Sequence, residues 1–176
     1  MNNFFYYIIF IAVLVSCSEG DVIENDISNF TAPLENCSNQ NENTFVFFKI
    51  DSQINQSLSL SFTSTTFELN TAPEGLTQTI AFNNTTNILV YRQFNAQIDG
   101  SAYFCSSVPP SGITVTQELK SSNGNAVIKY VVKSDTATEI IYTRTIILTN
   151  ITLEGAGIAI RQELLELGED EITVLK

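Results

Sequence analysis

The sequence predicts an all-β protein, a single antiparallel β-sandwich or partly open barrel, and three observations carry that prediction. Apolar residues recur with period two over several runs of about six to eight residues. The runs are bounded by Asn, Gly, Ser and Thr clusters and do not alternate with helical patterns, which argues against a parallel α/β sheet. Charged residues make up only 15% of the chain, and Ser, Thr and Asn supply most of the remaining polarity. That composition suits exposed β-structure outside the cytoplasm better than a helical enzyme.

The first element stands apart from the pattern. Phe4 to Val15, FFYYIIFIAVLV, is unbroken apolar sequence. As a helix, a dozen residues rise about 18 Å, well short of the roughly 30 Å hydrocarbon core of a bilayer. The length fits the apolar region of a signal peptide, and the competing reading is a buried N-terminal strand or helix. The preceding MNN holds no Lys or Arg, so only the amino terminus is positive there. Leu14-Val15-Ser16-Cys17 resembles the bacterial lipobox: apolar at −3, small at −1, Cys at +1. The resemblance implies a signal peptide over 1–16, a diacylglycerol thioether on Cys17, cleavage before it and acylation of the new amine. Two or three acyl chains, at about 0.8 kcal/mol per buried methylene, anchor a protein stably where one does not. By resemblance to lipoprotein sorting, Ser18 implies release to the outer membrane. Glu19 and Asp21, interrupted by Gly20, resemble the acidic stretch that takes lipoproteins of the Bacteroidota to the cell exterior. The same residues read also as a solvated acidic tether, taken as 17–43, with the β-domain at 44–176.

About 160 residues remain after such a leader, enough for one domain with a real core. The net charge is −11, with only eight basic residues, scattered singly. No basic patch forms from them, so neither nucleic acid nor phosphate-rich headgroups are expected partners through charge. If Cys17 carries lipid, Cys37 and Cys105 remain as an even pair in an oxidising compartment. A bridge between them closes a loop of roughly 70 residues, worth about 4 kcal/mol in the chain-entropy model. Two free buried thiols or a metal site compete with that reading, but two Cys with no His make a poor zinc site.

Within the body, TFVFFKID (44–51), TQTIAF (77–82) and NILVYRQF (87–94) are rich in β-branched and aromatic residues. SLSLSFTS (57–64) places Leu58, Leu60 and Phe62 on one face and Ser on the other. ITVTQEL (113–119) sets Ile113, Val115 and Leu119 opposite Thr114, Thr116 and Glu118. NAVIKYVVK (125–133) and EIIYTRTIILTN (139–150) flank SDTAT and predict a long hairpin, with Ile128, Tyr130 and Val132 opposite Lys129 and Lys133. The last stretch, GIAIRQELLELGEDEITVLK, has helical spacing at Ile160, Leu164 and Leu167, yet alternates at Ile158 and Ile160. No N-cap precedes it and Gly155 and Gly157 suggest a turn, so two closing strands joined near Gly168 are expected. GEDE (168–171) is then a turn with solvated acids.

The sequence holds no His, which removes Ser-His-Asp and Cys-His nucleophilic sites and His-ligated metals. None of the lysines has a Ser three residues before it, and no phosphate loop or dinucleotide fingerprint is present. Asp51, Glu68, Asp99, Glu118 and Glu139 are candidates for carboxylate-only hydrolysis, but no motif brings two together, and solvated strand ends are the plainer reading. DSQINQS (51–57) fails as a calcium loop, with Gln56 and Phe62 where Gly and a bidentate Glu belong. Tyr91, Phe94, Tyr103 and Phe104 either stack on sugar rings or fill core, and aromatics at strand spacing beside a Cys favour core. Pro109, Pro110 and Ser111 make a rigid loop just past Cys105, a candidate partner contact.

NCSNQNENTFVFFKI near the start of the body and YFCSSVPPSGITVTQE further on resemble small outer-membrane lipoproteins of flavobacteria. That resemblance covers most of the body and implies no catalytic residue. Asp135-Thr136-Ala137, at the expected hairpin tip, resembles the Asp-Ser/Thr-apolar signal for O-glycosylation in that phylum, with an ordinary turn as the alternative. The Asn-X-Ser/Thr sequons at Asn55, Asn83 and Asn150 are chance products of composition. The combined expectation is a lipid-anchored envelope protein on the periplasmic or extracellular face of the outer membrane, a non-enzymatic binding or structural module. It has no cofactor and no metal; its partners are the membrane through the N-terminal lipid and an envelope protein or glycan. A surface glycan-binding accessory protein and a carboxylate-only hydrolase are the alternatives.

Overall fold

The computed structural model describes Ile27, Phe30, residues 32–39 and residues 44–176. The apolar leader, Cys17 and most of the expected tether lie outside the described residues. β1 (Glu35–Asn39) falls inside the stretch expected to be tether and is a strand the sequence did not predict, whereas β2 (Thr44–Asp51), β3 (Gln56–Thr63), β4 (Thr77–Ala81) and β5 (Ile88–Phe94) form where β-branched and aromatic content or alternation predicts them. One short helix, α1 (Gly100–Phe104), precedes three long strands, β6 (Val115–Asp135), β7 (Glu139–Gly155) and β8 (Ile158–Leu175). Neighbours pair antiparallel in the order β1-β2-β3-β5-β6-β7-β8. One edge of β6 carries two partners in turn, β5 at Val115–Lys120 and β4 at Asn125–Lys129. The expected all-β antiparallel architecture is present as one eight-stranded sheet curled into a half-barrel.

Curling is forced by length. A straight strand of 21 residues spans about 70 Å, whereas a domain of this size is roughly 40 Å across. The long strands bend at bulges, which add twist and turn corners. In β6 the buried positions run Leu119 and Ser121, then shift phase to Ala126, Ile128 and Tyr130. In β7 they run Arg144, Ile146 and Leu148, then Ile151 and Leu153, across Asn150 with φ 51°. In β8 Ile160 gives way to Leu165 and Leu167. Asn125 pairs with Thr149 and Thr149 with Leu164, so the three phase changes lie in one band across the sheet. Gly124 sits in that band at φ 118°, where an added Cβ would lie 2.8 Å from the Ile151 side chain.

These bulges correct several sequence expectations. The runs expected at 113–119 and 125–133 fall in one strand from Val115, because bulges between Ser121 and Asn125 keep the ladder running through a stretch that looks like a turn. Ile158–Leu175 form one strand instead of two joined near Gly168; Leu167 is the extra residue of a bulge opposite Ile146 and Ile147. Leu164 points outward and is 63% exposed, because the buried phase of β8 changes between Ile160 and Leu165. Val132, expected beside Ile128 and Tyr130, keeps their register opposite Tyr142 but is 47% exposed, towards the β6–β7 tip. The GEDE segment lies within β8, where Asp170 is paired inside the sheet, instead of forming a turn of solvated acids.

The core fills the concave side of the half-barrel. Phe47, Phe62 and Phe67 meet edge-on or tilted, with centroids 5.0 to 6.2 Å apart, above Leu58, Leu60, Leu89 and Tyr91. The first and last strands approach across the opening: Asn36 Nδ2 donates to Asp170 Oδ2 at 2.8 Å, and Leu34 packs on Gly168. Ile27 and Phe30, 2% and 8% exposed, belong to the same core. The stretch expected to be tether, 17–43, therefore supplies an edge strand and two core side chains.

Candidate functional site

The convex face of β2, β3 and β5 carries a second apolar cluster, outside the main core. Phe48 on β2, Ser59 on β3 and Val90 on β5 form one outward row by register, with Ile50, Ser57 and Arg92 in the next. Phe48, Ser57, Ser59 and Val90 are all buried there. The serines were expected to meet solvent; they are covered because residues 95–114 leave the sheet and fold back over this face. The base of that outer loop is closed by Asn95 N donating to Thr114 O at 3.0 Å and Thr114 N to Asn95 Oδ1 at 2.9 Å. Small serines leave the space the loop fills, and the Ser57 hydroxyl is buried without a partner, a cost that packing must offset.

The helix in the loop starts where the Asp99 carboxylate caps Ala102 N at 2.8 Å, a short polar side chain satisfying a free amide. Gly100 faces Phe48 so closely that a Cβ would come within 2.4 Å of the ring. Phe104 stacks on Phe48 at 4.9 Å, and Tyr103 meets Phe94 edge-on at 5.1 Å. Tyr91 is buried on the opposite, concave face. The four aromatics thus fill core on two sides of the sheet, as strand spacing beside a cysteine suggested, and form no common platform.

Cys37 on β1 and Cys105 just after the helix form the expected disulfide, with Cα atoms 5.7 Å apart. It joins the edge strand to the loop. Beyond it, Ser106 Oγ donates to Val108 O at 3.0 Å and accepts from Val108 N at 3.3 Å, holding a tight tip. Val108 is 73% exposed, Pro109 and Ser111 are exposed, and Pro110 is half-buried. The loop singled out from sequence is therefore a protruding, stapled, apolar-tipped element. Beside it, Arg92 Nε donates to Glu118 Oε2 at 2.7 Å and Lys120 Nζ lies 3.0 Å from Oε1. Desolvation alone would raise the Glu118 carboxyl, but hydrogen bonds from Arg92 and Lys120 and their charges outweigh it and hold it below its usual range.

The other candidate carboxylates are dispersed. Asp51 accepts from Gln53 N in the β2–β3 turn, Asp99 caps the helix, and Glu139 opens β7. Glu68 lies with Glu74, Thr65, Thr66, Thr71 and Thr77 around an open depression of about 540 Å³ between β3 and β4. Its hydroxyls are partly engaged, Thr66 Oγ1 donating to Asn87 Oδ1 at 2.8 Å. Among the described residues no three His, Cys, Asp or Glu side chains converge as metal ligands. Thr136 stands at the β6–β7 tip as expected, exposed, its hydroxyl donating to Glu139 O at 3.0 Å and its carbonyl accepting from Lys176.

Two buried cations escaped the sequence reading. Arg144, fully buried, makes a two-pronged pair with Asp170 at 2.8 and 2.5 Å, donates to Leu69 O and lies 4.7 Å from the Phe47 ring centre. Its phase with Ile146 and Leu148 is the signal that could have exposed it. Lys49 points into the opening and donates to Phe30 O at 3.1 Å; burial lowers its pKa, partly opposed by the Glu166 charge. Both hold the fold together, Arg144 tying β7 to the 64–76 loop and Lys49 tying β2 to the N-terminal segment. Among the described residues no helix is long and apolar enough to cross a membrane. Compared with known proteins, the chain matches no protein family, no curated sequence and no solved structure.

Proposed function

We propose that this is a lipid-anchored outer-membrane protein of the flavobacterial lipoprotein type, whose β-domain is a non-enzymatic binding or structural module of the cell envelope. The observation that carries the reading is Leu14-Val15-Ser16-Cys17 at the end of a dozen apolar residues. It is supported by the pairing of the two other cysteines in a disulfide, a bond that persists in oxidising compartments. The contact element is the outer loop at Pro109, Pro110 and Ser111, rigid and set on a braced scaffold. Burial of Tyr91 and Phe94 weighs against a common stacking platform, and with it against the glycan alternative, while the dispersed carboxylates weigh against the hydrolase alternative.

Intact-mass analysis of protein from the source cell tests the anchor. The expected product starts at Cys17, carries acyl mass and partitions into detergent, whereas Cys17→Ser leaves an unprocessed, acyl-free chain. A native product that is acyl-free and water-soluble would overturn the proposal.

A further inference from the structure

We propose that the tip of the outer loop, Val108-Pro109-Pro110, is where the anchored domain rests on the bilayer, lying in the lipid interface. The inference rests on the lipid-anchor reading, adds an orientation to it and assigns the outer loop's contact to the bilayer in place of an envelope protein or glycan. Val108 and Pro109 are exposed and apolar at the tip, and residues 100–117 contain no Asp, Glu, Lys or Arg. A chain of net charge −11 is repelled by anionic headgroups over much of its surface. An uncharged tip approaches them without desolvating an ion, and its two prolines leave little conformational freedom to lose on insertion.

Tether length brings the tip within reach. Ile27 is already in the core, so the ten residue steps from Cys17 span at most about 35 Å. Phe30 meets Lys49 on the concave face of β2, while the preceding Phe48 stacks on Phe104 on the convex face, one residue before the disulfide. The tether's entry and the loop's base thus lie on opposite faces of one stretch of β2, separated by roughly 10 Å, the spacing of packed layers. The bridge to β1 keeps the loop beside that entry.

The chain has no Trp, so Val108→Trp introduces a single fluorescent reporter and Val131→Trp, at another exposed site, serves as control. The full lipidated protein is bound to phosphatidylethanolamine–phosphatidylglycerol vesicles, with and without brominated acyl chains. Expected are co-sedimentation of both variants, and a blue shift with bromine quenching for Val108→Trp alone. Co-sedimentation with both reporters equally in water overturns the loop's role and leaves the anchor intact. A shift seen in native membranes but not in pure lipid overturns it in favour of a protein partner. Failure to co-sediment removes the anchor and this inference with it.

Discussion

At the scale of single residues, burial of charge decides more than any surface pair. Arg144 and Asp170 sit opposite one another in the β7–β8 ladder, with side chains 1% and 12% exposed. Breaking such a pair from one side leaves an uncompensated charge and costs about 3 kcal/mol or more. Arg144→Met is therefore expected to lower the urea midpoint strongly, and Arg144→Met with Asp170→Leu to lower it less. Equal losses would show that the ion pair is not what matters there. Glu118 gives a pH dependence of defined sign. Its folded pKa is depressed, so its contribution is present above the unfolded value near 4.5 and is lost as pH falls through the folded value. Glu118→Gln should flatten that part of the acid stability curve, read by thermal melting between neutral and acid pH. Arg144 is in phase with Ile146 and Leu148, but an arginine is buried only where it is paired, and the partners that pair it lie 26 and 75 residues away.

At the scale of elements, bulges and one covalent bond shape the sheet. Gly124→Ala combines a left-handed backbone with a collision against Ile151, and strain of this kind costs about 1–3 kcal/mol. A chemical-denaturation shift within that range is expected, and a silent substitution would show that the corner can relax. Replacing Cys37 and Cys105 together by Ser should cost about 4 kcal/mol, since the bridge closes a separation of 68 residues. Limited proteolysis should then cut first within 95–114, where the loop has lost its covalent hold. β3 was legible from alternation, and β2, β4 and β5 from their β-branched and aromatic residues, because each is short and bounded by polar turn residues. β6 and β8 were divided wrongly because a bulge shifts the apolar phase just as a turn does, and the sequence pattern cannot distinguish them.

At the scale of the whole molecule, the half-barrel is closed from its own N-terminal side. Ile27 and Phe30 enter the core, Lys49 fixes the Phe30 carbonyl, and Asn36 reaches Asp170 across 134 residues of sequence. Removing two buried side chains of this size costs about 5 kcal/mol or more together. Ile27→Ala with Phe30→Ala should lower the melting temperature and expose dye-binding apolar surface, and an unchanged melt would show that the segment is only draped on the domain. The acidic, Asn-rich composition of 17–43 concealed this role, because a tether and a strand-bearing plug differ there by a few apolar residues whose partners lie far along the chain.

The sequence by itself determined the strand character of the chain, the cysteine pair available for bridging and the lipobox-like start, since each depends on residues close together or on simple counts. Only the tertiary structure decided which strands are continuous, which serines and which arginine are buried, and that the presumed tether completes the core. Those outcomes depend on contacts between distant residues, whose energies no local pattern encodes.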